Sequence, residues 1–191
     1  MHDPDLPTHK KTLRAHMVEV RRRACADCGA EAAAALAAMA GQLGVDRGDV
    51  VAAYWPMGDE LDPRPLLDRL AGLGCTLALP VVTARGQPLD FRHWAPGDGL
   101  EPGLHGTVHP LASAPPLVPS VVLVPLLAFD RRCFRLGYGG GYYDRSLESL
   151  RRRAQVKAIG LGFAAQEVDA VPTDIHDQRL DAIATEQGLI A

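Results

Sequence analysis

The sequence predicts an α/β protein, a three-layer sandwich built around a mostly parallel sheet. Apolar strand segments alternate with helical segments along the chain, which is the element order of this class. The segment Val121–Phe129 is apolar throughout, as expected of a central parallel strand covered on both faces. A length of 191 residues fits one domain, residues 1–191, that can bury a core without disulfides or metals.

Two helices are predicted at the start of the chain. Leu13 and Met17 recur at helical spacing among basic residues, which indicates an amphipathic helix from Thr8 to Ala26. The alanine-rich stretch Glu31–Leu43 has high helix propensity and predicts a second helix.

A βαβ unit follows these helices. Apolar segments predict strands at Val50–Trp55 and Leu77–Val82, and the segment Pro63–Leu73 between them is predicted to be helical. The segment Leu89–Trp94 alternates apolar with polar residues and predicts a peripheral strand. Proline and glycine are frequent from Ala95 to Pro119, which favours an irregular surface segment.

The last third of the chain repeats the alternation. After the strand Val121–Phe129, we predict a helix at Tyr142–Arg153 and a strand at Val156–Phe163. The segments Asp181–Thr185 and Leu189–Ile190 flank a short turn and predict a terminal hairpin.

Composition excludes several classes of partner. The chain has 20 Lys and Arg against 23 Asp and Glu, so its net charge of −3 gives no broad surface for nucleic acid or membrane. The longest apolar run is about half a membrane span, and the first residues contain no apolar core of a signal peptide. The cysteines at positions 25, 28, 75 and 133 lack the context of a metal or redox site. We therefore expect a cytoplasmic protein with no nucleic-acid or membrane partner.

A glycine-rich turn lies between a strand and a helix within the segment Val121–Arg145. Its glycines leave a backbone whose N–H groups can approach an anion closely; they are Gly137, Gly139, Gly140 and Gly141. Such a turn can equally serve only to reverse the chain. The preceding Arg135, the helix that starts at Tyr142 and the position after a central strand favour an anion site.

Two acids near this turn have open roles. Asp144 lies in the first turn of the following helix, where an acid is favoured by the helix dipole and where it is also a possible Mg²⁺ ligand. Asp181 opens the terminal hairpin and is either a solvated strand end or a second metal-binding carboxylate.

Other candidate residues come from the first helix and the first strand. Glu60 and Trp55 follow a strand, so Glu60 is either an exposed loop acid or an acceptor for a donor-rich ring such as a pterin. Trp55 is either a stacking partner for that ring or part of the core. Lys10 and Arg14 lie four apart and can face one polyphosphate, although such residues are usually a solvated helix face. The triplet Arg21–Arg23 is predicted to be solvated.

The chain resembles the 5-formyltetrahydrofolate cyclo-ligase family, also called methenyltetrahydrofolate synthetases. The matching pieces, in chain order, are KKTLR at 10–14, YWPMGDELD at 54–62, LALP at 77–80, VPLLAFD at 124–130, RLGYGGGYYDR at 135–145 and HDQRLDAIATEQG at 176–188. The fifth piece is the most distinctive, and together they span nearly the whole chain. The resemblance implies a three-layer α/β/α Rossmann-like sandwich.

The resemblance also implies an activity. Members convert 5-formyltetrahydrofolate to 5,10-methenyltetrahydrofolate with ATP and Mg²⁺, releasing ADP and phosphate. The formyl oxygen attacks the γ-phosphate, and a neighbouring folate nitrogen then closes the ring. The expected partners are therefore small-molecule substrates, ATP and a reduced folate, bound by a monomer or small homo-oligomer. Two alternatives are a non-catalytic sensor of a phosphorylated metabolite and a sugar-phosphate isomerase.

The family's site residues carry over as follows. ATP would contact residues of the first helix and of the turn, namely Lys10, Lys11, Arg14, Arg135, Leu136, Gly137, Tyr138, Gly139, Gly140, Gly141, Tyr142 and Tyr143. The reduced folate would contact Trp55, Glu60, Tyr138, Gly139, Gly140, Gly141 and Tyr142. Arg135 and Tyr142 would act in catalysis, and Asp144 and Asp181 would hold Mg²⁺.

Four positions depart from the family pattern. Leu126 and Cys133 stand where glycines are frequent, and His109 stands where the pattern usually has Glu. Gly140 stands where some members carry a lysine, which removes one potential phosphate contact.

Overall fold

The computed structural model of the protein describes residues 5–191, and within them a seven-stranded sheet forms the centre. The helices are α1 (Leu6–Ala38), α2 (Arg64–Gly72) and α3 (Tyr142–Arg151). The strands are β1 (Val50–Ala52), β2 (Thr76–Val81), β3 (Asp90–His93), β4 (Leu100–Pro102), β5 (Val108–Pro110), β6 (Val121–Pro125), β7 (Ala128–Phe129), β8 (Arg135–Leu136), β9 (Lys157–Leu161), β10 (Ala182–Thr185) and β11 (Gly188–Ile190).

The sheet is mostly parallel, as predicted. Its strand order is β11-β10-β9-β6-β1-β2-β3, and the five inner strands run parallel while the two edge strands are antiparallel. The chain builds outward from β1 in one direction through β2 and in the other through β6. Because the strand order reverses between β1 and β6, a crevice is expected outside their carboxyl ends.

Helices cover both faces of the sheet. Val51 and Leu123 point to the face on which α1 and α2 pack, with Leu36 buried between them. Their sequence neighbours point to the opposite face, where Val124 packs with Leu147 of α3. Alternate residues of each strand are thus buried on opposite sides, which confirms the three-layer sandwich.

The first half of α1 packs against a second, two-stranded sheet outside the main sheet. Strands β7 and β8 pair antiparallel as a two-stranded ribbon. Met17 of α1 packs against Leu127, Leu136 and Val171 in a separate buried cluster. This contact holds the start of α1 beside the segment that leads into the glycine-rich turn.

Two helical segments occur at the start of the chain, but as parts of one element. Helix α1 contains a non-helical residue, Cys28, with φ −146° and ψ 19°, at the predicted gap between the two helices. The second segment ends at Ala38, and a short 3₁₀ turn, Ala40–Gln42, covers the rest of the predicted range. No helix within residues 5–191 combines the length and the apolar character needed to cross a membrane.

The prediction of one continuous strand at Val121–Phe129 is wrong. Strand β6 ends at Pro125, and the chain leaves the sheet before it pairs again as β7. The buried side-chain amide of Gln166 donates to the carbonyls of Leu126 (3.0 Å) and Leu127 (2.9 Å). This side chain therefore satisfies carbonyls that a neighbouring strand would otherwise pair.

The prediction of an irregular segment from Ala95 to Pro119 is partly wrong, because β4 and β5 form a hairpin there. The hairpin is closed by a hydrogen bond from Gly103 N–H to Thr107 O (2.8 Å). Its strands are three residues long and each contains a proline, so no alternating pattern marks them. The peripheral strand β3 and the terminal hairpin of β10 and β11 confirm their predictions.

We predict that Gly160→Ala destabilises the protein. A Cβ at this buried position of β9 would lie 2.7 Å from Ile183 Cδ1, 2.8 Å from Leu180 Cδ1 and 2.9 Å from Leu126 Cδ2. Overpacking of this kind costs about 1–3 kcal/mol. Urea denaturation should show the free energy of unfolding lowered by that amount.

Gly72→Ala is the matched control, because a Cβ at this exposed helical position meets no atom within 4 Å. We expect it to raise the free energy of unfolding by roughly 0.5 kcal/mol. Equal effects of the two substitutions would contradict the packing described around Gly160.

Candidate active site

Three parts of the chain meet at the carboxyl ends of the central strands. The loop after β1 carries Glu60, the turn of residues 137–141 follows β8, and the first half of α1 lies against both. Arg14 contacts Gly137, and Arg21 contacts both Tyr138 and Glu60. These contacts lie at the switch in strand order, where open α/β sheets bind ligands.

The glycine-rich turn presents backbone donors. Gly139 and Gly141 adopt left-handed backbone angles, with φ 97° and φ 65°, which glycine adopts without strain. Within residues 5–191, the N–H groups of Gly139, Gly140 and Gly141 donate to no backbone carbonyl. Helix α3 starts immediately afterwards, so its positive end adds to these donors. The turn therefore has the chemistry of an anion site.

Two arginines fix the orientation of this turn. Arg14 Nε donates to Gly137 O (2.8 Å), and Arg145 Nη2 donates to Gly140 O (2.6 Å). In a trans peptide the N–H points opposite to the C=O. Because both carbonyls are turned toward arginines, the N–H groups of Tyr138 and Gly141 point away from those arginines.

Lys10 is held at the start of α1 by a neighbouring loop. Its Nζ lies 2.8 Å from Asp174 Oδ2 and 2.6 Å from Asp177 Oδ2. Burial works to lower the pKa of Lys10, but hydrogen bonds and charge from the two carboxylates outweigh it, and the pKa is raised. Lys10 therefore stays charged, while its neighbour Lys11 is exposed.

Arg135 and Asp144 form a braced pair beneath the turn. Arg135 Nη2 donates to Asp144 Oδ1 (2.8 Å), and Arg135 Nη1 donates to Gln178 O (2.9 Å). The Gln178 N–H also donates to Asp144 Oδ1 (3.0 Å). Because only 4% of the Arg135 side chain is exposed, it supports the turn from inside.

Asp144 and Asp181, the two carboxylates expected to hold Mg²⁺, have different protein partners. Asp181 Oδ2 accepts hydrogen bonds from Arg151 (3.0 Å) and from the Ala158 N–H (2.7 Å). Asp144 and Arg151 lie at opposite ends of α3, and seven residues of helix rise about 10 Å. In the part of the chain that the structure describes, no three His, Cys, Asp or Glu side chains are grouped as a metal site.

Glu60 is a buried carboxylate, 6% exposed, beside the turn. Its Oε2 accepts the Met57 N–H (2.9 Å), and its Oε1 lies 3.8 Å from Arg21 Nη1. Burial raises the pKa of Glu60, and the Met57 amide, Arg21 and Tyr138 offset part of that rise. A carboxylate in such a place can accept hydrogen bonds from a donor-rich ring.

The aromatic residues of the site divide between two surroundings. Trp55 packs edge-to-face against Trp94, with ring centroids 5.7 Å apart, and the Arg64 guanidinium lies over its ring. Trp55 thus packs against the core rather than on the turn. Tyr142 begins α3, and the Arg145 guanidinium lies over its ring. The next residue is Tyr143, and burial and then the charge of Glu60 raise the pKa of its phenol.

Two site residues differ from their sequence interpretation. The prediction that Arg21 is solvated is wrong, because it is 5% exposed and contacts Glu60 and Tyr138. The spacing of the arginines in the sequence could have indicated this position. Arg21 follows Arg14 by seven residues, which places both side chains on one face of the helix. Leu136, expected near ATP, has a buried side chain, so only its backbone can take part.

The structure shows the surroundings of three of the positions that depart from the family pattern. Cys133 has φ 61°, the left-handed conformation that favours glycine. Leu126 fills the space above Gly160 and Gly162, where added Cβ atoms would meet its side chain within 3 Å. His109 lies in β5, where its Nδ1 lies 2.9 Å from Pro110 O.

The fold and the site define a class: an α/β-sandwich protein with a glycine-rich turn and a buried carboxylate near the carboxyl ends of its central strands. Within that class, the comparison with known proteins gives one answer. The chain belongs to the 5-formyltetrahydrofolate cyclo-ligase family, whose sequence model matches residues 7–186.

Relatives and solved structures agree with this assignment. A 5-formyltetrahydrofolate cyclo-ligase of Mycolicibacterium smegmatis is 34% identical over 193 residues, covering 97% of this chain and 98% of the relative. One of Escherichia coli is 30% identical, covering 71% and 76%. The solved structure of a methenyltetrahydrofolate synthetase of Aquifex aeolicus has a TM-score of 0.68 at 23% identity, covering 97% and 91%. One of Mycoplasma pneumoniae has a TM-score of 0.68 at 20% identity, covering 93% and 98%. These two share the fold.

We predict that Asp144→Asn destabilises the protein. It removes the carboxylate that balances the buried Arg135 guanidinium. Because a quarter of the Asp144 side chain is exposed and asparagine keeps one acceptor, we expect a loss of about 1–3 kcal/mol. Urea denaturation measures this loss.

Glu148→Gln on the same helix is the control, since Glu148 pairs with Arg152 on the exposed surface. Its free energy of unfolding should be almost unchanged. A loss at Asp144 no larger than at Glu148 would show that the Arg135 pair does not brace the turn.

Proposed function

We propose that this protein converts 5-formyltetrahydrofolate to 5,10-methenyltetrahydrofolate at the expense of ATP, releasing ADP and phosphate. The observation that carries the proposal is a turn whose N–H groups at residues 139–141 donate to no backbone carbonyl among residues 5–191, joined through Arg21 to the buried carboxylate of Glu60. A phosphate and a pterin are the chemical groups that these two features suit. The family match over residues 7–186 supports the same reaction.

The ATP side is built from the turn and from α1. The turn amides and the positive end of α3 would bind the phosphates, and Lys10, Lys11 and Arg14 would add positive charge from α1. Arg135 would contribute its charge from beneath the turn, and Tyr142 would cover the reacting groups. We propose that these last two act in the phosphoryl-transfer step.

The chemistry requires positioning rather than a side-chain nucleophile. The formyl oxygen attacks the γ-phosphorus, the bond from that phosphorus to the bridging oxygen breaks, and ADP leaves. The second folate nitrogen then attacks the formyl carbon, loses its proton, and phosphate departs. Fixed N–H donors stabilise charge on the transferring phosphoryl group without reorganising.

The folate side is centred on Glu60. Its carboxylate would accept hydrogen bonds from the N–H groups of the pterin ring. Tyr138 belongs to the turn and, like Glu60, contacts Arg21, so it would lie between the two substrates. Trp55, packed against Trp94, would line the outer part of this pocket.

The metal ion would bind mainly through ATP. Asp144 offers a carboxylate whose Oδ1 is used by Arg135 and Gln178, leaving Oδ2 for Mg²⁺. One protein carboxylate with phosphates and water is an ordinary Mg²⁺ environment, in which the ion neutralises phosphate charge. The Oδ2 of Asp181 is used by Arg151 and by the Ala158 N–H, so we propose Asp144 as the main protein ligand and Asp181 as the second.

For the cellular location and the oligomeric state, our proposal is the one expected from the sequence. We propose a cytoplasmic enzyme that acts as a monomer or small homo-oligomer. The non-catalytic sensor finds no support in the comparisons, since the relatives described above carry the names of enzymes.

One assay tests the proposal. Purified protein is incubated with 5-formyltetrahydrofolate, ATP and Mg²⁺, and the near-ultraviolet absorbance of the methenyl product is followed together with ADP. We expect both to appear in equal amounts. Folded protein that binds ATP but forms no product would favour the sensor instead, and folded protein that binds neither substrate would reject both.

We predict that Gly139→Ala weakens ATP binding. Alanine at φ 97° strains the turn, and its Cβ would lie 3.3 Å from the Arg14 guanidinium carbon. Displacing a charge-assisted N–H contact should raise the KM for ATP roughly tenfold. Steady-state kinetics with ATP varied measure this.

Gly97→Ala is the matched control, because Gly97 has φ 98° and a Cβ there meets no atom within 4 Å. It should have a similar backbone strain with an unchanged KM for ATP. Equal KM values for the two variants would remove the turn from the ATP site.

We predict that Glu60→Gln weakens folate binding. The change removes a charged acceptor, which is worth about 1.5–3 kcal/mol, so the KM for the reduced folate should rise by roughly 10-fold to 100-fold. The KM for ATP should change little. Asp62→Asn is the control, since Asp62 lies on the same loop and pairs with Arg64; an equal rise in both variants would argue against Glu60 as the pterin acceptor.

A further inference from the structure

Arg21 differs from its two neighbours in the arginine triplet. Arg22 and Arg23 are exposed and both pair with Glu19 on the surface of α1. Arg21 faces inward, 5% exposed, at the junction of the turn and the loop after β1. A buried guanidinium needs partners that balance its charge and its hydrogen bonds.

Arg21, Tyr138 and Glu60 form a directional chain. Arg21 Nη1 donates to the Tyr138 hydroxyl oxygen, and the guanidinium lies over the Tyr138 ring, 5.3 Å from its centroid. A guanidinium only donates, so the one phenolic proton is left for a further acceptor. Glu60 lies beside this phenol, since each group shifts the pKa of the other, and we assign its carboxylate as that acceptor. A residue of the phosphate turn is thereby tied to the folate-side carboxylate.

The burial of Arg21 is costly for stability. Its Nε is buried and has no hydrogen-bond partner among residues 5–191. Its Nη1 lies 3.8 Å from Glu60 Oε1, outside direct hydrogen-bond distance. Packing alone would be served better by an apolar side chain, which indicates that the charge is kept for the site.

Arg21 is the only cation among the groups described around Glu60. Tyr54, at the end of β1, and Tyr143 of α3 also face Glu60, and burial raises the pKa of both phenols, so they stay neutral. Burial raises the pKa of Glu60 and Arg21 lowers it. Without Arg21, Glu60 therefore becomes protonated at a higher pH.

We propose that Arg21 is a positioning residue that, through Tyr138, fixes the folate-side carboxylate of Glu60 in its ionised form and ties it to the phosphate turn. This inference rests on the proposed function. It assigns to Arg21 a role in folate affinity and its pH dependence, separate from ATP binding.

The test is steady-state kinetics of Arg21→Met over a range of pH. Since kcat/KM reports ionisation of the free enzyme, its acid limb for the reduced folate should move to higher pH by about one unit. The value on the plateau should fall by roughly 10-fold, while the KM for ATP changes less than about threefold. A uniform loss of activity with an unmoved acid limb would overturn the proposal.

Three further variants complete the test. Arg21→Lys keeps the charge and should restore the acid limb without restoring the full folate affinity. Tyr138→Phe breaks the chain and should raise the KM for folate with a smaller movement of the limb. Arg22→Met, next to Arg21 but exposed, should behave as the unchanged protein. If the acid limb of Arg21→Lys lies at the same pH as the acid limb of Arg21→Met, this result would also count against the proposal.

The outcomes separate this inference from the reaction itself. If the unchanged protein forms no methenyl product, the proposed function fails. If it forms product and the Arg21 variants keep its acid limb and folate KM, only the role of Arg21 fails. Should Arg21→Met not fold, as judged by thermal unfolding, Arg21→Lys and Tyr138→Phe carry the decision.

Discussion

The site depends on the orientation of a few peptide groups between residues 137 and 141. The carbonyls of Gly137 and Gly140 are held by Arg14 from α1 and by Arg145 from α3, so the N–H groups of the same peptides point away from these arginines. Glycine at 139 and 141 makes this geometry accessible without backbone strain. A phosphate held by such N–H groups would need no lysine within the turn, which is consistent with glycine at position 140. The geometry of the turn depends instead on Arg14 and Arg145.

The fold supplies Arg14 from a helix that serves two purposes. The second half of α1 packs Leu36 on the main sheet, whereas the first half packs Met17 on the β7–β8 ribbon. Between β6 and this ribbon, Gln166 donates to the carbonyls of Leu126 and Leu127. The end of one central strand is thus followed directly by the ribbon that leads into the glycine-rich turn.

Features encoded within short segments could be predicted from the sequence, and features that depend on distant segments could not. The glycine-rich turn, the start of α3 at Tyr142 and the parallel sheet follow from local composition and pattern. Whether Asp144 and Asp181 meet depends on the direction of α3 relative to β10, which spacing does not contain. The burial of Arg21 depends on the placement of α1 over Glu60. The break after Pro125 depends on Gln166, about 40 residues further along the chain.

The irregular backbone at Cys28 divides α1 into two segments that meet at a kink. Because the two segments need not share one axis, residues 6–27 can follow the β7–β8 ribbon while the alanine-rich segment follows the main sheet. One continuous element thereby joins the packed interior to the glycine-rich turn.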